Sequence, residues 1–294
     1  MLARRRSSKL PAVAAVSAPF GRDLEACFAR IEQIVRSCRE RGAELVVFPE
    51  SALGGYVYEP ILASPRLGIP PPPQLRRDGP EIERLRRIAG PTLICVGYTE
   101  AEAGAGGPYS SAVCVSGDGV LGRHRKVHLP PVERGAFAPG EGFNAFDTPL
   151  GRMGMLICYD KVFPESARRL SLDGAGIVAS LAAWPVSREG RAAWTRRDRQ
   201  VRHFNLLDQA RALENQVVWV SSNQSGPFGR LRFPGQAKVV DPHGRVLAAT
   251  GTREGVAMVR IDTAEAVGAA RGELSHLGDR RPVAYELSSA ALAS

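Results

Sequence analysis

The chain has 294 residues, of which 44% are hydrophobic, and it carries a formal net charge of +9. This length supports one large α/β core, and no long linker divides the sequence into two domains. All but four of the basic residues are arginine, and no zinc finger, RNA-binding signature or aromatic-interleaved basic stripe accompanies them, so the charge does not indicate a nucleic-acid partner.

The predicted elements alternate between strand and helix, which favours a layered α/β architecture. Short apolar runs bounded by turn residues predict strands at 11–18, 44–48, 92–98, 111–116, 120–125, 142–148, 152–158, 177–181, 217–222, 235–240, 246–249 and 256–261. Amphipathic spacing predicts helices at 23–41, 81–89, from Pro164 onward, and at 196–215. Residues 117–119 and 241–244 read as hairpin turns.

Three regions follow from this pattern. We expect a disordered basic tail at residues 1–10, one domain at 11–262, and a weakly patterned C-terminal extension at 263–294 that packs on a partner subunit or stays mobile. Five cysteines without Cys-x-x-Cys spacing predict neither a disulfide framework nor a zinc site, and we expect a reduced, cytoplasmic protein. No apolar stretch approaches the length of a membrane span, so no membrane partner is expected.

Cys158 stands out among the cysteines by its position. It ends an apolar run that begins at Met153, and a helix opening at Pro164 follows it. A sulfur on a strand-to-helix turn lies where α/β proteins expose nucleophiles, and the helix start would favour a thiolate. The other four cysteines are expected to be small core residues.

A carboxylate and an amine follow two other predicted strands. Glu50 comes after Phe48-Pro49 at the carboxyl end of a strand, where reactive side chains gather, so we interpret it as a general base and not merely a cap. Lys126 is one of only four lysines in a chain whose other basic residues are arginines. A lysine at this position therefore indicates that a compact ammonium is needed, for example to neutralise an oxyanion. A solvated lysine is the alternative.

Two other chemistries have less support. His128 or His203 could activate Cys158 as in a cysteine–histidine protease, but neither lies in a recognisable protease signature. No two histidines have a ligand-like helical spacing beside a carboxylate, so no metal is expected.

Five ordered segments resemble the nitrilase, or carbon–nitrogen hydrolase, superfamily over residues 11–262. They are Val-Val-Phe-Pro-Glu50, Arg-Lys126-Val-His-Leu-Pro, Leu-Ile-Cys158-Tyr-Asp with Phe-Pro-Glu165, Ala210-Arg-Ala-Leu-Glu214-Asn215, and Ser222-Asn-Gln224. The resemblance implies a four-layer α-β-β-α sandwich, a homodimer or higher homo-oligomer, and no cofactor.

The resemblance also implies roles for individual residues. Glu50 matches the general base, Lys126 the oxyanion-stabilising amine and Cys158 the nucleophile of a glutamate–lysine–cysteine triad. Glu133 matches the second glutamate, which positions the lysine and the substrate. The Tyr159 backbone amide would complete the oxyanion site.

The residues after the nucleophile favour some branches of the superfamily over others. Tyr159-Asp160 resembles the amidases and carbamoylases, whereas nitrilases typically have Trp-Glu there. We therefore expect a small linear amide or N-carbamoyl substrate that releases ammonia through a cysteine thioester. Nitrile hydrolysis, transfer of the acyl group to an amine, and an inactive binding scaffold are the alternatives.

Aromatic residues and a lysine are the candidate substrate contacts. They are Tyr56, Tyr58, Phe163, Trp184 and Lys161. Lys161 would hold an acidic substrate or face solvent. The arginine-rich segment at 187–202 would form a lid that attracts an acidic or carrier-bound substrate, or a solvated helix face.

Overall fold

A computed structural model describes residues 10–57, 69–101 and 106–285. Its strands are β1 (Ala12–Ala18), β2 (Ala43–Val47), β3 (Gln74–Leu75), β4 (Leu93–Glu100), β5 (Tyr109–Ser116), β6 (Gly119–Arg125), β7 (Phe146–Thr148), β8 (Gly151–Ile157), β9 (Ile177–Ala182), β10 (Val218–Phe228), β11 (Leu231–Pro234), β12 (Lys238–Val240), β13 (Val246–Ala249) and β14 (Gly255–Arg260). Its α-helices are α1 (Leu24–Glu40), α2 (Pro80–Ala89), α3 (Pro164–Leu172), α4 (Arg199–Asn215) and α5 (Thr263–Glu273). Residues 1–9 of the predicted tail, Tyr58, and residues 286–294 of the predicted C-terminal extension lie outside the described residues.

The strands hydrogen-bond in the order β6-β5-β4-β2-β1-β10-β9-β8-β7. The middle of this path is parallel, and its two ends, β4-β5-β6 and β8-β7, are antiparallel. β14 adds an antiparallel strand beside β1, and β11 pairs with the last residues of β10. The parallel strands therefore present their carboxyl ends at one edge, which is where such sheets place reactive side chains.

Alternating side chains on the strands build three apolar layers. Val13 and Ala15 of β1 point into a central core shared with β8 and β9, whereas Ala14 and Val16 point outward against α1 and α2. On the other half of the sheet, Trp219 of β10 points outward to a cluster that α3 and α4 cover. The result is the predicted α-β-β-α sandwich, with the main core between its two β layers.

The first helix shows how the sequence sets these layers. Asp23 is its N-cap and accepts a hydrogen bond from the Ala26 backbone N–H at 3.1 Å. Its buried side chains recur at helical spacing and are Cys27, Phe28, Ile31, Val35 and Cys38. This apolar face covers the outer side of β1 and β2.

β3 and β11 are not among the predicted strands, β10 extends to Phe228, and β12 begins only at Lys238. Three further differences concern β7, α4 and α5. β7 is shorter than 142–148 because the Ala145 N–H donates to Asp173 Oδ2 at 2.8 Å instead of joining a strand. α4 begins after residue 196, because the Asp198 carboxylate accepts from the Gln200 N–H at 2.9 Å and caps the helix there.

The third difference is α5, a helix where the sequence pattern is weak. Only Thr263, Val267 and Ala270 are buried along it, so its apolar period is faint. It packs on its own chain, where Gln216 Nε2 donates to the Ala270 carbonyl at 2.8 Å. Among the described residues, no helix has the length and apolar character needed to cross a bilayer.

Candidate active site

The predicted catalytic residues lie at neighbouring strand ends. Glu50 follows β2, Lys126 follows β6 and Cys158 follows β8. The Ala183 backbone N–H, just after β9, donates to Glu50 Oε2 at 3.0 Å and so joins the two halves of the sheet at this point. The fold therefore gathers residues that are far apart in sequence into one site.

Lys126 is fully buried between two carboxylates. Its Nζ donates to Glu50 Oε1 at 2.8 Å and to Glu133 Oε1 at 2.7 Å. Glu133 Oε1 also accepts from the Tyr56 hydroxyl at 2.6 Å. The structure thus brings together the three residues that the sequence assigned to base, amine and second glutamate, and it adds Tyr56 as a partner of Glu133.

The charge balance of this cluster perturbs its protonation. Burial disfavours the Lys126 ammonium, but the two carboxylates outweigh it and hold the pKa of Lys126 above its ordinary value. Burial raises the pKa of Glu133 to about 7, against the attraction of Lys126. Lys126 therefore remains a cation between the two carboxylates.

Glu50 is held by contacts that sequence reasoning did not identify. The Ser110 hydroxyl donates to Glu50 Oε1 at 3.2 Å, and Gln224 Nε2 donates to the Glu50 carbonyl oxygen at 3.1 Å. The β4 backbone passes so close that a Cβ on Gly97 would lie 2.8 Å from the Glu50 Cα. Gln224 lies in one of the family-like segments, but nothing in the sequence marked Ser110 or Gly97.

Cys158 is buried at the start of a 3₁₀ turn, Cys158–Val162. Its φ of 49° lies in the left-handed region, which is strained for a residue with a side chain and costs about 1–3 kcal/mol. Burial, followed by the nearby Glu50 carboxylate, raises the pKa of the Cys158 thiol well above its usual value. The expectation that the helix start favours a thiolate is therefore wrong for the resting site, where the thiol keeps its proton.

Asp160 links the nucleophile's turn to the segment after Lys126. Its Oδ1 accepts from the His128 N–H at 2.9 Å, and its Oδ2 accepts from the Ile157 N–H at 3.1 Å. His124 Nε2 and His128 Nδ1 lie 2.9 and 3.0 Å from the same carboxylate. Burial opposes the charge, but hydrogen bonds from the two histidines hold the pKa of Asp160 below its usual range. The sequence placed Asp160 in a motif without revealing this role.

The two histidines considered for a protease mechanism do not activate the thiol. The His128 ring contacts Asp160 and stacks on Phe163 with ring centroids 3.7 Å apart. His203 is exposed on α4. Among the described residues, no group of three His, Cys, Asp or Glu side chains is arranged to hold a metal ion.

A cavity of about 640 Å³ opens above Cys158. Tyr56 and Trp184, two of the predicted substrate contacts, line it, and Tyr159 lines it as well. Trp184 is fixed by its backbone N–H, which donates to Asn223 Oδ1 at 2.7 Å, and by its ring N–H, which donates to Gln200 Oε1 at 2.9 Å. The volume suits a small organic substrate, and Cys158 lies in its wall.

Of the remaining candidates, Tyr58 lies outside the described residues, and the other two require correction. Phe163 does not line this cavity and instead packs edge-on against Tyr159 with ring centroids 5.3 Å apart. Lys161 is fully buried, donates to Asp208 Oδ1 at 2.7 Å and lies 3.2 Å from the Phe204 ring centroid. Lys161 therefore neither holds a substrate at the cavity nor faces solvent, because its charge is neutralised inside the protein.

Comparison with known proteins identifies the family of this chain. The family model for carbon–nitrogen hydrolases matches residues 12–271, so the chain belongs to the carbon–nitrogen hydrolase family, as the sequence resemblance predicted. A protein named nitrilase from Pyrococcus abyssi is 32% identical, over 80% of this chain and 83% of its own. An (R)-stereoselective amidase from a Pseudomonas species is also 32% identical, over 81% of this chain and 80% of its own.

A solved structure gives the same result for the fold. A glutamate-to-glutamine mutant of the amidase from Nesterenkonia sp. AN1 superposes with a TM-score of 0.70 at 26% identity, over 90% of this chain and 95% of its own. That structure shows covalent addition of the acetamide moiety of fluoroacetamide at the active-site cysteine. The α-β-β-α sandwich of the carbon–nitrogen hydrolases is thereby confirmed for this chain.

Proposed function

We propose that the protein is a thiol amidohydrolase that cleaves the C–N bond of a small linear amide or N-carbamoyl compound and releases ammonia through a Cys158 thioester. The observation that carries the proposal is the buried cluster of Glu50, Lys126 and Glu133 beside Cys158 in the wall of one cavity. Relatives named as amidases, one of them with a reagent bound covalently to its cysteine, support the reaction class.

The first step is attack by sulfur on the amide carbonyl carbon. Because the Cys158 thiol keeps its proton at rest, a base must take that proton as the S–C bond forms, and Glu50 is the carboxylate whose charge acts on it most strongly. The carbonyl oxygen gains the negative charge, which the Lys126 ammonium and the Tyr159 N–H would stabilise. One such donor contributes roughly 10²–10³ in rate.

The second step releases ammonia and then the acid. Glu50 passes the thiol proton to the leaving nitrogen, the C–N bond breaks, and a thioester remains on Cys158. A water molecule then gives a proton to Glu50 and adds its oxygen to the thioester carbon. The C–S bond breaks, the acid leaves, and the sulfur regains a proton.

Glu133 is suited to orient the amide during these steps. Its Oε2 is buried and has no hydrogen-bond partner among the described residues, whereas its Oε1 is occupied by Lys126 and Tyr56. An amide N–H of the substrate would satisfy Oε2 as an acceptor and so bring the carbonyl carbon to the sulfur.

Ammonia release from a panel of primary amides, N-carbamoyl amino acids and nitriles tests the proposal. Wild type should release ammonia from amides or carbamoyl compounds, and Cys158→Ala should release none. Cys38→Ala, which removes a buried cysteine on α1, is the matched control and should remain active. Release only from nitriles would favour the nitrilase alternative, and amide products formed with added amines would indicate acyl transfer.

We further propose that the protein forms a homodimer and works in the reducing cytoplasm. The dimer is supported by Leu206 and Leu213 on α4, two large apolar side chains with 65% and 45% of their surface exposed. The reducing compartment is supported by the five cysteines, all of which are free thiols. Light scattering of wild type and Leu206→Glu tests the dimer, and a monomeric wild type at all concentrations would contradict it.

A further inference from the structure

Two lysines that take no part in the proposed reaction are buried beside the nucleophile's turn. Lys161 Nζ donates to Asp208 Oδ1 at 2.7 Å, and Lys238 Nζ donates to Asp208 Oδ2 at 2.6 Å. Lys161 and Asp208 are fully buried, and Lys238 is only 3% exposed. These three residues, here called the lysine cluster, join the turn Cys158–Val162 to helix α4 and strand β12.

The lysine cluster carries one positive charge in excess. Its two ammonium groups share a single carboxylate, and among the described residues neither lysine forms an ion pair with a second one. The aromatic neighbours are neutral. Trp219 Nε1 donates to Asp208 Oδ1 at 2.9 Å, and the centroid of the Phe204 ring lies 3.2 Å from Lys161 Nζ and 4.2 Å from Lys238 Nζ. The Phe204 ring stabilises both cations by cation–π contact but does not neutralise them.

Stability alone does not explain this buried charge. Moving a charge out of water is costly, and replacing a buried ion pair by apolar residues is often neutral or stabilising. The turn is also held by contacts that do not need the lysine charge, because Arg211 Nε donates to the Lys161 carbonyl at 2.9 Å and Arg211 Nη2 donates to the Val162 carbonyl at 2.8 Å. The backbone of the turn is therefore anchored to α4 whether or not Lys161 is charged.

The catalytic residues on the other side of Cys158 have the opposite charge. Lys126 lies between the Glu50 and Glu133 carboxylates, so these three groups carry one negative charge in excess when all are ionised. Lys161 follows Cys158 by three residues in a 3₁₀ turn, a spacing that places two side chains on the same side of the turn. The charge of an ionised Cys158 accordingly acts on Lys161.

The proposed attack on the amide moves negative charge toward this turn. As the S–C bond forms, the thiol proton passes to Glu50, and the negative charge of that carboxylate moves to the carbonyl oxygen of the substrate. Lys161 belongs to the turn that carries the sulfur, whereas Glu50 follows β2. A fixed positive charge on the turn favours this movement of charge, and burial strengthens the effect because little water screens it.

We propose that the excess positive charge of the lysine cluster stabilises the negative charge that develops beside Cys158 during attack, with Lys161 as a positioning residue. Lys161 does not line the cavity, so it does not touch the substrate, and it exchanges no proton in this step. Its Nζ lies 5.6 Å from the centroid of the Trp184 ring, which does line the cavity. This inference rests on the proposed function, because the charge acts on the same reaction.

The kinetic test removes the excess charge with little change in side-chain volume. Lys161→Met should lower kcat roughly tenfold with little change in KM, whereas Lys161→Arg keeps the charge and should recover most of the rate. Lys238→Met removes the same excess charge from β12 and should cause a smaller loss. Trp219→Phe is the matched control, because it removes a neutral donor to the same carboxylate, and its kcat should stay near that of wild type. Equal losses in Lys161→Met and Trp219→Phe would overturn the proposal.

The pH profile separates the charge from the packing. Burial, opposed by Asp208, lowers the pKa of Lys161 to about 8, so its charge is present below that pH and lost above it. The charged and titratable groups that face it are Asp208 and Arg211 on α4, Lys238 on β12, and Cys158 on its own turn. The excess charge disappears whichever lysine loses its proton, because Asp208 then pairs with the other one.

The ratio of the wild-type kcat to that of Lys161→Met should therefore fall toward one as the pH rises through about 8. Titration of the other catalytic groups affects both proteins and cancels in this ratio. A ratio that is the same below and above this pH would overturn the proposal.

Alkylation of Cys158 by iodoacetamide tests the charge without turnover. An S–C bond forms, iodide leaves and the thiol proton is lost, so the rate depends on negative charge at the sulfur. Lys161→Met should slow alkylation at Cys158, followed by peptide mapping, roughly tenfold, and Trp219→Phe should not. Urea denaturation verifies that the variants fold, and Lys238→Met carries these comparisons if Lys161→Met does not.

The two assays distinguish failure of this inference from failure of the proposed function. An unchanged alkylation rate in Lys161→Met would overturn the role of the lysine cluster even where ammonia release supports the amidohydrolase. Slower alkylation in Lys161→Met, in a protein that turns over no amide, would support the charge effect and refute only the proposed reaction.

Discussion

Replacing Asp160 by asparagine removes a buried charge that holds the nucleophile's turn against the segment after Lys126. One oxygen can keep the acceptor role toward the His128 N–H, but the amide nitrogen that replaces Oδ2 cannot accept from the Ile157 N–H. A hydrogen bond to a charged group contributes about 1.5–3 kcal/mol. The hydrogen bond between His124 and this position can be kept, because a change of tautomer lets the His124 ring nitrogen accept from the new amide. We therefore expect Asp160→Asn to lose about 3 kcal/mol of stability.

The same substitution should reduce catalysis, because the Ile157 amide precedes Cys158 directly. A displacement of about 1 Å at a reacting group can cost roughly 10²-fold in rate, so we expect kcat to fall by about that factor. Urea denaturation and initial rates measure the two effects. Asp147→Asn is the matched control, since the Asp147 side chain is 85% exposed. Wild-type stability and kcat in Asp160→Asn would refute the positioning role.

Two further predictions concern packing and protonation. A Cβ on Gly97 would lie 2.6 Å from the Ser51 N, so Gly97→Ala should lower the free energy of unfolding by about 1–3 kcal/mol and remove most of the activity. Gly142→Ala is the control, because a Cβ there meets open space and should change neither the stability nor the activity much. Equal effects of the two substitutions in denaturation and rate measurements would contradict this prediction. Burial, opposed by Asp208, lowers the pKa of Lys161 from 10.5 to about 8. Between pH 8 and 10.5 the unfolded state therefore binds more protons than the folded state. The free energy of unfolding of wild type, relative to that of Lys161→Met, should rise by about 3 kcal/mol as the pH increases through this range. Parallel profiles of stability against pH for the two proteins would contradict the prediction.

Much of the site was predictable because strand ends in α/β proteins concentrate reactive side chains. Glu50 and Cys158 each follow an apolar run that forms a strand, Lys126 follows the predicted strand that ends in Arg-His-Arg125, and the structure brings all three together. The sequence could not show that Ser110 and the Ala183 N–H hold Glu50, since these contacts span 60 and 133 residues. Such contacts depend on which strands become neighbours, and local patterns carry no information about that.

Lys161 shows why a local pattern can mislead. A lysine two residues after the nucleophile's neighbour looks available to substrate or solvent, but its partner Asp208 lies 47 residues away on α4. Lys238 Nζ donates to the other oxygen of the same carboxylate at 2.6 Å. Only the packing of α4 on the turn and on β12 makes burial of these charges possible.

Intact-mass spectrometry of the enzyme quenched in acid during turnover tests the central claim most directly. The account predicts an acyl adduct on wild type, located at Cys158 by peptide mapping, and no adduct or turnover with Cys158→Ala. Turnover that persists in Cys158→Ala, or an acyl group found on another residue, would contradict a mechanism that proceeds through a thioester at this cysteine.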